Sequence, residues 1–465
     1  MSNSKTKPFG IRDKLGYMFG DFGNDFTFLL SSSFLMKFYT DVMGVDGHIV
    51  GIIMMVARFV DAFTDVAMGR ICDRSKMTPV GKFKPWIRRM CGPVVIVSFL
   101  MYQSGLSGLP QWAKIVYLTI TYILWGSVFY TSINIPYGSM ASAISDDPGD
   151  RQSLSTFRTM GGMFAGAFIM AGVPLMIYDK VNGNDILNGK RFTIIAGVCS
   201  ILAFICYILC YSLTTERVRT EASADAMRQN SVGNMLKNAL KNRALISIIV
   251  ASVFMLVSQL TIQQMANYVF PNYYGNAKAQ SLSMVVMGGG MLVAALIAKP
   301  LAKKIGKAEM SVIANMLAGV VCIILYFVRP QNVWVYVSFQ FLSWFGLGVF
   351  SMVTWALITD VIDYSEIKNG IREDGSVYAL YSFARKLGQA ASAGLTGALL
   401  SLIGYDQSTA FMPEVKEGIF DISTLVPAAS FIILALILWF WYPLHKKQVE
   451  ENVAILREKH SSGKE

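Results

Sequence analysis

Three charged side chains, Arg58, Asp61 and Asp65, lie inside a stretch that is apolar enough to be embedded in a membrane. The aspartates are four residues apart and Arg58 precedes Asp61 by three, so on a helix all three share one face. A charge at the bilayer centre costs about 3 kcal/mol or more, so such residues face a water-filled path and have partners. Two carboxylates one turn apart, with hydroxyls nearby, indicate a site for a small cation.

The composition is that of an integral membrane protein. Of the 465 residues, 54% are hydrophobic and 15% are charged, whereas soluble domains average about 25% charged. Apolar runs of about 20 residues recur along the chain, which predicts membrane-spanning helices and an all-α membrane protein. The net charge of +11 does not indicate nucleic acid, because the basic residues fall almost entirely in alternate loops.

Nothing in the sequence favours an enzyme. No nucleophile, base and orienting group can be assembled from the spacing. The three histidines lie at the first residue of a span or outside the spans, without ligand spacing, so we expect no metal site and no cofactor other than a coupling ion. The six cysteines do not indicate a disulfide framework.

Twelve spans are predicted, and their boundaries are uncertain by a few residues. They lie near 16–41, 48–70, 90–106, 114–140, 154–178, 192–213, 244–270, 281–302, 309–328, 332–362, 375–403 and 422–443.

Lysine and arginine are concentrated at the amino terminus, in the loops after the second, sixth and eighth spans, and in the tail. The positive-inside rule therefore predicts that both termini are cytoplasmic, as an even number of spans requires. No secretory signal is evident, and we expect a multi-pass protein of the bacterial inner membrane.

The chain divides into a first six-span bundle (1–213), a central cytoplasmic loop (214–243), a second six-span bundle (244–445) and a cytoplasmic tail (446–465). Apolar residues at helical spacing between Val232 and Leu240 indicate an amphipathic helix on the inner leaflet, although a simple tether fits the same pattern. Two six-span halves with matched basic loops are the architecture of major-facilitator transporters, in which substrate binds at the midplane.

Further polar side chains inside the spans suit a hydrophilic solute. Carboxylates accept pairs of sugar hydroxyls, Arg and Lys donate to them, and aromatic faces pack against the sugar ring. The alternative is that these groups only neutralise one another. The candidate substrate-binding residues are Asp25, Tyr130, Asn134, Arg158, Tyr381 and Lys386.

A second charged cluster, Asp360 and Asp363 followed by Arg372, lies at the cytoplasmic end of the tenth span. Its position opposite Arg151 and the basic loops predicts an inner gate whose ion pairs form when a carrier opens outward. The alternative is a solvated loop.

Five motifs in order resemble the glycoside–pentoside–hexuronide:cation symporter family, a branch of the major facilitator superfamily, and the likeness covers essentially the whole chain. The motifs lie at residues 57–65, 81–86, 134–138, 360–364 and 375–378.

The resemblance implies that Asp61 and Asp65 bind a cation, with Thr131 as an added oxygen ligand. It also implies that Asp25, Arg158 and Lys386 contact sugar. Thr64 could complete a sodium shell, and Arg58 remains as a structural counter-charge.

The family's melibiose carriers have Asn at the position of Thr64, Asp at Asn134 and Trp at Gly138, which argues against melibiose here. The replacement at Thr64 leaves sodium and proton both open as the coupling ion. Retention of Asp25 favours a neutral glycoside or pentoside over a hexuronide, although Arg158 and Lys386 could hold a carboxylate.

We therefore predict cation-coupled sugar symport by alternating access, carried out by a monomer in the lipid bilayer. The alternatives are a hexuronide symporter, a lysolipid or amphiphile carrier of the same superfamily, and a sugar-sensing receptor. The receptor is disfavoured because the tail is too short for a signalling domain.

Overall fold

The computed structural model describes residues 8–218, 242–369 and 374–462. Each of the twelve predicted spans falls on a helix within these ranges, and a further helix forms in the tail. The helices are α1 (Ile11–Asp41), α2 (Gly47–Arg74), α3 (Lys84–Leu100), α4 (Gln111–Ile144), α5 (Gly149–Ile177), α6 (Gly189–Leu213), α7 (Arg243–Tyr273), α8 (Ala277–Ile305), α9 (Lys307–Val328), α10 (Val333–Asn369), α11 (Asp374–Leu402), α12 (Pro413–Trp441) and α13 (Lys446–Ser462).

Eight helices in the described ranges are long and apolar enough to cross a membrane by length and composition. The other four of the twelve are α1, α2, α3 and α11. Helix α3 has only 17 residues, and α1 and α2 carry the interior charges singled out above. The polarity of α1 and α2 marks them as helices that hold functional groups.

The structure differs from the sequence prediction at the ends of several spans and in one loop. The tenth span, predicted at 332–362, continues to Asn369, and the twelfth, predicted at 422–443, begins at Pro413. The third span, predicted at 90–106, is wrong by about six residues, because Pro85 sits in the first turn of α3 and starts the helix at Lys84. Residues 178–187 form a small antiparallel hairpin, β1 (Tyr178–Val181) and β2 (Asn184–Leu187). Its turn residues Asn182 and Gly183 both have positive φ, as an Asn-Gly type I′ turn requires.

The chain separates into two compact units. The first comprises Met1–Ser223, Phe270–Ser281 and Gly397–Val415. Within it α1 packs most extensively against α5 and α6, and α3 packs against α6. Helix α1 is therefore buried along most of its length, and its polar residues face other helices.

The second unit comprises Ala224–Val269, Leu282–Thr396 and Lys416–Glu465. Its core includes the fully buried Ala318, Phe350 and Leu357, on the closely packed helices α9 and α10. The amphipathic helix predicted in the central loop falls on residues 219–241, which lie outside the described residues.

Helix α5 approaches α1 through glycines. A Cβ at Gly161 would lie 2.6 Å from the carbonyl oxygen of Met18, and one at Gly162 would lie 2.9 Å from a carboxylate oxygen of Asp25. This close approach brings α5 against the charged face of α1.

Candidate cation and sugar site

Helix α2 presents its three interior charges along one face. Arg58 Nη1 donates to Asp61 Oδ2 at 3.0 Å, and both side chains are buried. Arg58 also lies 5.2 Å from the ring centre of Phe28 on α1 and 5.8 Å from that of Tyr122 on α4. The guanidinium is therefore held by a carboxylate and two aromatic faces.

The partners of both aspartates are hydroxyls on α4. Ser127 Oγ donates to Asp61 Oδ1 at 2.6 Å, and Thr131 Oγ1 donates to Asp65 Oδ1 at 2.8 Å. The two residues of each pair are 66 positions apart in the sequence. A step of four residues along α2 therefore corresponds to a step of four residues along α4. The result is two carboxylate–hydroxyl pairs, one above the other.

A π-helical segment in α4, Leu124–Tyr130, shapes this contact. Such segments insert one extra residue into a turn and are found frequently at functional sites. Gly126 lies within it, and a Cβ there would be 3.4 Å from Asp61 Oδ1. The glycine therefore lets the α4 backbone approach the carboxylate closely.

Thr64, the remaining predicted cation ligand, is half-buried. Its hydroxyl donates to the carbonyl oxygen of Asp61 at 3.2 Å, one turn back on its own helix. The structure thus brings the side-chain oxygens of Asp61, Asp65 and Thr131 close together. Thr64 lies beside them, with its hydroxyl bonded to the backbone carbonyl of Asp61.

The predicted sugar-binding groups of the first unit lie between α1, α4 and α5. Arg158 Nε donates to Asp21 Oδ1 at 2.9 Å, while Asp25 has no ion pair among the described residues. A Cβ at Gly162 would lie 2.9 Å from Asp25 Oδ2 and 3.2 Å from Asp21 Oδ2, so the two carboxylates converge on this glycine. One arginine therefore faces two carboxylates.

Tyr130 and Asn134 on α4 complete this group. The ring of Tyr130 stacks on Phe28 with centroids 5.7 Å apart, and Asn134 Oδ1 accepts a hydrogen bond from Asn24 Nδ2 at 3.3 Å. Phe28 also carries the Arg58 guanidinium on its ring. An aromatic residue of α1 thus links the cation-site helix to the predicted sugar residues.

The second unit holds the other two predicted sugar residues. Tyr381 is buried and packs edge-on against Trp355 with centroids 4.9 Å apart. Lys386 is half-buried, just over one turn further along α11.

Two of the predicted inner-gate residues, Asp360 and Arg151, have partners within their own units. Asp360 pairs with Lys307 at 2.5 Å, and Arg151 Nε donates to the carbonyl oxygen of Ser145 at 2.9 Å. Asp363 is half-buried, and Arg372 lies outside the described residues. The gate stays a prediction.

Sequence reasoning missed two residues of the site, Ser127 and the role of Asp21. A signal for Ser127 existed, because it precedes Thr131 by the same four residues that separate Asp61 from Asp65. Asp21 shares a face of α1 with Asp25, and spacing alone does not show which of the two aspartates meets Arg158. In the described part of the chain, no group of three or more His, Cys, Asp or Glu could hold a metal ion.

Comparison with known proteins gives consistent matches over the whole length. A family profile described as MFS/sugar transport protein matches residues 16–446. A glucuronide carrier protein homolog of Escherichia coli is 29% identical over 95% of this chain and 94% of its own. A putative sulfoquinovose importer of the same organism is 30% identical over 96% of this chain and 93% of its own.

Among solved structures, a D-xylose-proton symporter superposes with a TM-score of 0.65 at 15% identity, covering 93% of this chain and 97% of its own. At that identity the likeness concerns the fold, which is that of the major facilitator transporters.

Proposed function

We propose that this chain, which belongs to the MFS/sugar transport protein family, is a symporter that couples the entry of a sugar to a cation. Membership of the family confirms the resemblance drawn from the sequence motifs and makes the protein a multi-pass membrane transporter of sugars, not an enzyme. Cation coupling, the sugar and the orientation are the parts proposed here.

The observation that carries the proposal is that one helix serves both groups of residues. On α4, Ser127 and Thr131 bond the aspartates of α2. On the same two turns, Tyr130 and Asn134 contact Phe28 and Asn24 of α1. A change in the packing of α2 on α4 is thereby transmitted to the helix pair that carries the predicted sugar residues.

The coupling follows from electrostatics. Asp61 and Asp65 are two close negative charges on α2, and Arg58 forms an ion pair with Asp61. A bound cation offsets their repulsion and tightens α2 against α4, which favours the sugar-binding arrangement. By linkage, sugar raises the affinity for the cation by the same factor. The carrier then moves between outward and inward access when it is empty or fully loaded.

The charge of the sugar residues in the first unit favours a neutral substrate. Asp21 and Arg158 neutralise each other, which leaves Asp25 as a surplus negative charge. A carboxylate accepts two sugar hydroxyls well and repels an acidic sugar. A glycoside or pentoside without a carboxylate is therefore the first candidate.

An acidic sugar is the second candidate, and the relatives favour it. The names of the two relatives refer to a glucuronide and to sulfoquinovose, which are sugars with an acidic group. Each unit has a cation that would pair with such a group, Arg158 in the first unit and Lys386 in the second.

The topology proposed with this function has both termini in the cytoplasm and the chain in the bacterial inner membrane. The distribution of lysine and arginine among the loops supports it. Transport would then run into the cell.

Uptake of labelled sugars into membrane vesicles tests the function. Sodium and pH gradients are imposed separately on a panel of neutral glycosides, pentosides and hexuronides. We expect accumulation above the external concentration of one class, driven by one gradient. Failure of every sugar to accumulate under either gradient would refute cation-coupled symport.

The variant Asp61→Asn tests the site. It removes the charge that a cation must neutralise, so we expect concentrative uptake to be lost while exchange of internal for external sugar persists. Asp179→Asn is the matched control, since Asp179 lies in the β1 strand outside both groups of residues. Full accumulation by Asp61→Asn would remove Asp61 from the coupling mechanism.

A further inference from the structure

In the second unit, α8 and α10 touch closely along one stretch and leave a groove beyond it. A Cβ at Gly290 would lie 2.9 Å from the carbonyl oxygen of Phe341, and one at Gly348 would lie 2.9 Å from the Cβ of Ala294. Past Ala294 the two helices enclose a groove of about 450 Å³, which Lys307, the first residue of α9, bounds at one end. We call this space the α8–α10 groove.

Small apolar side chains form most of the wall of the α8–α10 groove. Three alanines of α8 recur at spacings of three and four residues, so they share one face of the helix. Their short side chains leave space that larger residues would fill. The apolar residues that line the groove are Ala295, Ala298 and Ala302 of α8 and Met352, Val353 and Ala356 of α10.

The charged residues that line the groove are all lysines, namely Lys299, Lys303 and Lys307. Lys307 is neutralised by Asp360, since Lys307 Nζ lies 2.5 Å from Asp360 Oδ2. Within residues 8–218, 242–369 and 374–462, neither Lys299 nor Lys303 has an ion pair. The groove therefore carries a surplus of two positive charges.

A smaller cavity of about 210 Å³ adjoins the groove and shares Lys303 and Lys307 with it. The carboxylates that line this cavity are Asp360 and Glu450. Asp360 is paired with Lys307, and Glu450 lies 4.0 Å from Lys446. Neither carboxylate offsets the charge of the other lysines of the groove.

The spacing of Lys299 and Lys303 suits a single anion. They are four residues apart on α8, which places them on one face with a rise of about 6 Å between them. Like charges at this spacing destabilise a helix, and an anion between them removes that cost. Lysine is a common ligand of phosphate groups, and its flexible stem lets two ammonium groups converge on one phosphodiester.

The surface beside the groove indicates that this phosphodiester belongs to a lipid. Helix α8 is long and apolar enough to cross a membrane, and the turns before the groove expose Leu292, Val293 and Leu296, the last to 79%. Lys299 lies near the end of the helix, where it leaves the hydrocarbon region. The apolar wall can then hold the glycerol and the first acyl carbons while the lysines hold the phosphate.

The positive-inside rule alone accounts for lysines at a cytoplasmic helix end, but it requires no groove between two helices. Basic pockets between membrane helices on the cytoplasmic side bind anionic lipid headgroups. A zwitterionic headgroup fits less well, because its ammonium group would enter a groove with two uncompensated lysines and no carboxylate of its own.

We propose that the α8–α10 groove binds the phosphodiester of an anionic phospholipid of the inner leaflet through Lys299 and Lys303. Phosphatidylglycerol is the simplest lipid of this class. The site lies within the second unit and is separate from the residues of α2 and α4 proposed to hold the coupling ion, so this inference does not depend on which ion or sugar is carried.

Native mass spectrometry of the full-length protein in detergent tests the site. The protein is titrated with phosphatidylglycerol and, separately, with phosphatidylethanolamine of the same acyl chains, and soluble glycerol phosphate is added as a competitor. The variants are Lys299→Gln/Lys303→Gln and Lys299→Arg/Lys303→Arg. The matched control is Lys304→Gln/Lys447→Gln, which removes the same charge from two exposed lysines of the same unit that do not line the groove.

Each lysine near an anionic headgroup contributes about fivefold to affinity. We therefore expect Lys299→Gln/Lys303→Gln to bind phosphatidylglycerol about 25-fold more weakly. The arginine variant and the control should both stay within about twofold of the unsubstituted protein, because each keeps two positive charges in the groove. Phosphatidylethanolamine should bind at least about fivefold more weakly than phosphatidylglycerol. If the double glutamine variant does not fold, Lys299→Gln and Lys303→Gln alone decide the question, each with an expected loss of about fivefold.

Three results would overturn the inference. One is equal affinity of Lys299→Gln/Lys303→Gln and the matched control for phosphatidylglycerol. Another is equal binding of phosphatidylethanolamine, which would leave an apolar groove without preference for an anion. The third is displacement of phosphatidylglycerol by an equal concentration of glycerol phosphate, which would make this a site for a soluble phosphate. None of these measurements involves sugar uptake, so each outcome is distinguishable from failure of the proposed symport.

Discussion

Removal of the buried lysine near the end of α1 should destabilise the protein strongly. Lys37 is 1% exposed, and its Nζ lies 2.7 Å from Asp41 Oδ2. It also donates to Asn272 Oδ1 and to Tyr405 Oη, each at 2.8 Å. This network, formed by Lys37, Asp41, Asn272 and Tyr405, ties α1 to residues 270–281 and 397–415 within the first unit.

The magnitude follows from what Lys37→Met leaves behind. Loss of one partner of a buried ion pair costs about 3–5 kcal/mol, because the other charge stays buried without compensation. Asp41 is 13% exposed and still accepts hydrogen bonds from Tyr405 at 2.8 Å and Thr40 at 2.9 Å. We therefore expect a loss near the lower end, about 3 kcal/mol.

The double variant Lys37→Met/Asp41→Asn gives the decisive comparison. It removes both charges and keeps an acceptor for Tyr405, so it should be more stable than Lys37→Met alone by about 1–2 kcal/mol. Equilibrium unfolding in detergent, monitored by circular dichroism, measures the stability of the unsubstituted protein, Lys37→Met, Asp41→Asn and the double variant. Lys180→Met, the same change at an exposed position of β1, should remain within about 0.5 kcal/mol of the unsubstituted protein. A Lys37→Met variant as stable as the Lys180→Met control would refute the reasoning, as would a double variant no better than the single one.

Two further variants test other close contacts. Gly162→Ala places a Cβ 2.9 Å from Asp25 Oδ2, so sugar binding should weaken about tenfold and stability should fall by about 1–3 kcal/mol. The control is Gly166→Ala, whose Cβ would make an ordinary 3.8 Å contact. In binding and melting assays, this control should match the unsubstituted protein in sugar affinity and in stability. Glu216 accepts hydrogen bonds from the backbone N–H groups of residues 82–84 at 2.6, 3.0 and 2.7 Å, so Glu216→Gln, with one acceptor oxygen fewer, should cost about 1–3 kcal/mol. Burial raises the pKa of Glu216 above its ordinary value of 4.5, so the stability it contributes is present at low pH and declines as pH rises through that raised value. The deficit of Glu216→Gln should accordingly shrink between acid and neutral pH, and a deficit that grows with pH would contradict this assignment.

The helices and the faces of α2 could be predicted because they depend on local periodicity. Apolar runs long enough to span a bilayer identify the helices, and the spacing of Arg58, Asp61 and Asp65 places them on one face whatever packs against it. The pairing of Arg58 with Asp61 at 3.0 Å is the contact that a separation of three residues allows within one helix.

Contacts between helices could not be derived in the same way. Asp21 and Asp25 share a face of α1, and only the rotation of α5 about its axis decides that Arg158 meets Asp21. The spacing of Ser127 and Thr131 matches that of Asp61 and Asp65, but only the packing of α4 against α2 decides that these two hydroxyls meet these two carboxylates. Two of the partners of Lys37, Asn272 and Tyr405, lie more than 200 residues away in the sequence, so no local sequence pattern predicts these contacts.

The π-helical segment explains how α4 can serve two groups of residues at once. In a regular α-helix, residues four apart stay on one face, which accounts for Ser127 with Thr131 and for Tyr130 with Asn134. The face of α4 that carries Ser127 and Thr131 contacts α2, and the face that carries Tyr130 and Asn134 contacts α1. The two faces must therefore point in different directions. The extra residue within Leu124–Tyr130 widens the turn between them at the level of Asp61. In the proposed mechanism, an ion that tightens the first face would act on the second through this π-helical segment.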